Sequence, residues 1–145
     1  MLCATTQKGC DQMIDRRTKN AEIFRDTERR YTLDPTLMQA VQQSTKNQVF
    51  IAESENIIIP SAYKTDKAKV IVSDNRSLEA AEVYAKQGKK VCVLNFASAT
   101  NPGGGVVNGS SAQEECICRC TTLYPCLNTD EMWNAFYKPH RKAAN

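Results

Sequence analysis

The chain has 145 residues, 41% of them hydrophobic and 24% charged, an ordinary composition for one soluble domain with room for a real core. Nineteen basic against sixteen acidic side chains leave a net charge of +3, too small a surplus to make nucleic acid or an anionic membrane the expected partner. The longest apolar runs, VCVL and NIIIP, fall far short of the ~20 residues that span a bilayer, and MLCATTQKGC lacks the basic-then-apolar order of a secretory signal. A cytoplasmic, reducing location is the resulting expectation. There the seven cysteines read as small buried hydrophobes with free thiols.

Residues 1–47 carry eight basic and six acidic side chains, with Ile14, Ala21, Phe24 and Tyr31 near the helical period. They predict a helical amino-terminal extension with a solvated, charged face. A second helix is announced by Asp34 as N-cap and Pro35 at the first helical position, ending near Lys46. From Gln48 the pattern changes. VFIA, NIII, KVIV and KVCVLNF are short β-branched runs that predict strands, and SLEAAEVYAKQGKK between the last two predicts a helix with Ser77 as cap and Gly88 as stop. Strand, helix, strand implies a right-handed crossover and a parallel sheet, hence an α/β class for residues 48–145.

After the last predicted strand, residues 97–113 contain no charged side chain. Gly103, Gly104 and Gly105 free the backbone for left-handed conformations and close approach to a ligand. A further helix is expected to open with Ser111 and Glu114 as a capping box and to run to Pro125. A glycine loop leading from a strand end into a helix start is a common ligand site in open α/β sheets. Two familiar phosphate loops fail: Ser110 stands where a P-loop needs lysine, and Asn108 where a dinucleotide fingerprint needs glycine. A tight turn without ligand remains the bland alternative. Glu115, unlike Glu114, is not explained by capping. A carboxyl group desolvated beside an uncharged loop suits proton transfer to a leaving oxygen and from water, the work of glycoside cleavage.

Cys116, Cys118 and Cys120 lack the two-residue gap of a zinc site, and His140 lies in a basic tail, so neither metal nor cofactor is called for. Trp133, Phe136 and Tyr137 fall at helical spacing and read as core or interface.

The run GGGVVNGSSAQEE, with NFASATNPGGG before it and CRCTTLYPCL after it, resembles the microbial-type branch of the poly(ADP-ribose) glycohydrolases over roughly residues 11–137. The resemblance implies a macrodomain-like three-layer α/β/α fold that binds ADP-ribose or poly(ADP-ribose) and hydrolyses the ribose–ribose bond. Carried over, Glu115 is the catalytic acid and base and Glu114 orients ribose hydroxyls. Gln113 supports them. Gly103, Gly104, Gly105 and Val106 wrap ribose and pyrophosphate through backbone groups, and Asn95, Phe96 and Ser98 are ribose contacts. The alternatives are an ADP-ribose-binding module without turnover, an ADP-ribosyl-protein hydrolase and a metal-dependent nucleotide phosphate hydrolase. The family pattern also implies strands and a second phosphate loop beyond Asn145, so a sheet incomplete at its carboxyl end is expected, with self-association or pairing with a missing half.

Overall fold

The computed structural model describes residues 4–58 and 68–144, and the chain divides into two compact units, Met1–Gln48 with Asn95–Asn145, and Val49–Leu94. Among the described residues of the first unit every regular element is a helix. Its long helix α1 (Ala4–Leu33) and the following α2 (Pro35–Lys46) meet at Asp34, whose carboxylate accepts from the Thr36 and Leu37 amides at 2.8 and 3.3 Å. That is the expected cap, with Pro35 where its missing N–H costs nothing. Along α1 the predicted stripe is realised at Ala21 and Phe24, both buried, while Tyr31 is half-buried and Ile14 lies outside the described side chains. The opposite face is solvated, with Asp26 pairing Arg29 at 2.8 Å and Arg30 at 2.7 Å.

The carboxyl-terminal part of this unit begins irregularly, passes through a 3-10 turn at Val106–Asn108 and continues as α4 (Gln113–Cys120) and α5 (Leu123–Leu127). The second unit contains the helix α3 (Ser77–Lys86). The chain ends in α6 (Asp130–Met132), a π-helical turn (Trp133–Tyr137) and α7 (Lys138–Ala143). Pro139 accounts for the wide turn: it donates no hydrogen bond to Ala135 and its ring crowds that carbonyl, so the preceding turn opens. Phe24, Val106 and Cys118 form the core, with Leu123 and Tyr124 packed against it. The Phe24 and Tyr124 rings meet edge to face at 5.0 Å.

In the second unit α3 begins at Ser77, one residue earlier than it would with Ser77 as its cap, and Arg76 takes the cap position. The Glu79 carboxylate accepts from the Arg76 amide at 2.9 Å and performs the capping. Gly88 follows the helix at φ +73°, as expected of the stop.

The expected α/β class and three-layer α/β/α macrodomain-like architecture are not found: the described residues hold helices and no strand. Val49–Ala52, Asn56–Ile58, Lys69–Val72 and Lys90–Phe96 are irregular chain and not strands, and Ile59 lies outside the described residues. The described residues on either side of α3 therefore do not form the expected parallel crossover. The physical reason is that β-propensity spans only about 1 kcal/mol per residue and expresses packing against neighbours. Here Val70 and Val72 are 85% and 91% exposed, so no buried face draws the backbone into a ladder. Among the described residues no helix is long and apolar enough to cross a membrane.

Candidate active site

The glycine loop and the first turn of α4 are built as one object. Gly103 and Gly104 take φ of +65° and +58°, consecutive left-handed residues that bend the chain sharply. Space demands glycine as well: a Cβ on Gly104 would stand 2.5 Å from Glu115 Oε1, and one on Gly103 2.7 Å from the Tyr124 ring. Gly109, at φ +73°, closes the 3-10 turn against the Arg17 backbone carbonyl, where no Cβ fits.

Helix α4 does not open with the expected capping box. Ala112 is its N-cap, with no side-chain capping bond. Glu114 turns instead to the irregular segment ahead of the loop, where Oε2 accepts from the Ser98 amide at 2.8 Å and Oε1 from Asn95 Nδ2 at 3.3 Å. Gln113 Oε1 accepts from the Phe96 amide at 2.8 Å. Ser98 Oγ then accepts from the Thr100 and Asn101 amides at 3.3 and 3.1 Å, which turns the chain toward the glycines. Gln113 and Glu114 therefore organise Asn95, Phe96 and Ser98, which the structure brings to α4, while Phe96 as a residue is 71% exposed.

Glu115 points the other way, into the loop. Its Oε1 accepts from the Gly105 amide at 2.9 Å, and its Oε2 is buried without a hydrogen-bond partner. The residue is 7% exposed and Glu114 3%. An unpaired buried oxygen costs about 1–3 kcal/mol, a penalty that a bound hydroxyl would relieve. Asn95 Oδ1 is a second buried acceptor without partner, so two acceptors in the same assembly call for donors. Both carboxylates lie in the first turn of α4, where the exposed amides of a helix start favour negative charge.

Two further loop amides are used inside the protein. Gly104 donates to Asn101 O at 3.0 Å and Val106 to Gly103 O at 3.1 Å. The Val106 side chain is fully buried against Phe24 and Cys118, so it anchors the loop to the core. Below the carboxylates lies Cys118, whose thiol is pushed up to about 12 by burial first and then by the Glu114 and Glu115 charges. Burial likewise raises the Tyr137 hydroxyl to about 12, with Glu114 adding to it.

The sequence reading did not single out Arg119 and Asn20. The Arg119 guanidinium donates to Ser110 O, and Asn20 Nδ2 donates to Gly109 O at 3.0 Å. Arg119 follows Glu115 by four residues, a same-face spacing visible in the sequence. Asn20 is 89 residues from its partner and carries no local signal. A hollow of about 330 Å3 at the corner of α1 and α2 lies apart from these groups, and its one acid, Asp34, is occupied in capping.

None of the curated proteins and none of the solved structures matches this chain. Residues 17–145, which contain the glycine loop, both carboxylates and the segment they organise, match the family model described as microbial-type PARG, catalytic domain, and the chain belongs to that family of poly(ADP-ribose)-directed glycoside hydrolases.

Proposed function

We propose that this protein hydrolyses the ribose–ribose O-glycosidic bond of poly(ADP-ribose), with Glu115 as acid and base. The observation that carries the reading is the asymmetry of that carboxyl group, one oxygen fixed by the Gly105 amide and the other buried and unpartnered. In the first step the free oxygen delivers a proton to the leaving ribose oxygen as the anomeric carbon takes on oxocarbenium character. In the second, the resulting carboxylate accepts a proton from water as it attacks that carbon, which restores the acid. Ribose hydroxyls supply the donors that Glu115 Oε2 and Asn95 Oδ1 lack. Glu114, already holding Asn95 and Ser98, orients the sugar through the remaining lone pairs of its oxygens. The pinned loop from Gly103 to Val106 offers a surface without β-carbons at three successive residues, against which ribose and diphosphate can lie closely.

Glu115→Gln tests the assignment. The amide retains an oxygen for the Gly105 N–H but carries no transferable proton, so folding should persist. ADP-ribose release from the polymer should fall about 10²–10⁴-fold. Equal release by variant and wild type would remove Glu115 as the acid. Binding of ADP-ribose by the wild type with no release from polymer would identify a binding module instead.

A further inference from the structure

Arg119 is 8% exposed, yet among the described residues it forms no ion pair. Buried cations are ordinarily matched by an acid. This one donates Nη1 to the Ser110 carbonyl at 2.5 Å and Nη2 to the Cys116 sulfur at 3.1 Å. Ser110 in turn donates its amide to the Gly105 carbonyl at 3.1 Å, and the Gly105 amide is the group that holds Glu115 Oε1. Glu115 and Arg119 stand one helical turn apart on α4. The hydrogen bonds therefore close a ring: from Arg119 to the exit of the loop, across the loop to Gly105, on to Glu115, and back along one rigid turn of helix.

We propose that Arg119 is a positioning residue for Glu115, setting the aim of its carboxyl group by fixing the exit of the glycine loop at Ser110. The role rests on the reading of Glu115 given under Proposed function. A guanidinium suits it because two donors in one plane reach the carbonyl and the thiol together, so the side chain cannot swing about either contact. The circuit is separate from what docks the loop and the helix on α1. Asn20 holds the neighbouring Gly109 carbonyl, and Thr27 Oγ1 donates to the Arg119 backbone carbonyl at 2.7 Å, a bond that any residue at 119 retains. Loss of the guanidinium should consequently loosen the aim of Glu115 and leave the fold standing.

The test uses the full chain with Arg119→Met and Arg119→Gln, neither of which has two donor nitrogens to reach both the carbonyl and the thiol, and Arg119→Lys as rescue. Amide hydrogen exchange is followed at Gly105 and across residues 104–111. In both variants the Gly105 amide should exchange at least about tenfold faster while core amides of α1 keep wild-type rates. On poly(ADP-ribose), kcat should drop about 10–100-fold from misplacement of the acid. KM should stay within about threefold, because the groups that touch the sugar are unchanged. Lysine, which reaches the carbonyl with a single donor, should recover part of kcat. Unchanged Gly105 exchange in a folded variant overturns the proposal, as does faster exchange with wild-type kcat. Loss of fold in both variants would make Arg119 a residue of stability and overturn it too. A wild-type chain that releases no ADP-ribose would instead defeat the reading of Glu115, while the exchange measurement still decides whether Arg119 fixes the Gly105 amide.

Discussion

The two units of this chain use apolar residues in opposite ways. In the unit formed by Met1–Gln48 and Asn95–Asn145, few large hydrophobes suffice for a core, because Phe24, Val106 and Cys118 come from three elements that face one another. Val49–Leu94 is richer in β-branched runs, yet no described residue in it is buried, and Val70, Ile71 and Val72 stand in solvent. Apolar content alone does not make a core: the hydrophobic gain comes from area removed from water, and that requires an opposing surface. The site follows the same logic. Its carboxylates could be buried because amides, an asparagine and a tight loop were there to receive them.

The contrast is sharpest at Phe24, which is fully buried. Phe24→Ala should cost about 3–5 kcal/mol of unfolding free energy, read by denaturant titration. A loss below about 1 kcal/mol would show that the glycine loop does not depend on this core. Gly109→Ala comes next. It forces a side chain into a left-handed conformation against the Arg17 carbonyl, and about 1–3 kcal/mol should be lost in the same assay.

Alkaline pH should erode the first unit. Cys118 keeps its proton in the folded chain up to about 12, whereas its ordinary value is 9.0, and Tyr137 behaves alike from 10.0. Between those values the unfolded state has released protons that the native state still holds. Stability from this source is therefore complete below about pH 9 and is lost as pH rises toward 12. Thiol alkylation near pH 8 followed by mass spectrometry should accordingly spare Cys118 and label the exposed Cys92, Cys116 and Cys120. The smallest effect is expected in the second unit, where Val72→Ser should change stability by no more than about 0.5 kcal/mol. A larger loss would mean that Val72 is buried in solution.

Much of the helical architecture was legible because its signals are local. Asp34 with Pro35 marks a helix start by capping chemistry alone, and Gly88 marks a stop by its φ. Boundaries slipped where a neighbour outbid the local rule. Glu114, at capping-box spacing from Ser111, went to Asn95 and Ser98 because those partners were brought to it by the fold.

From the residues alone came the helices, the glycine bend and the pair of carboxylates beside it, all of which depend on contacts within a few positions. Tertiary structure decided the rest. It directed Glu114 and Glu115 to different partners, recruited Asn20 and Arg119 to the loop carbonyls, and left the described residues of the β-branched runs as irregular chain. Strand pairing and buried hydrogen bonds both need a partner that is distant in sequence, and nothing in the local pattern of either member names the other.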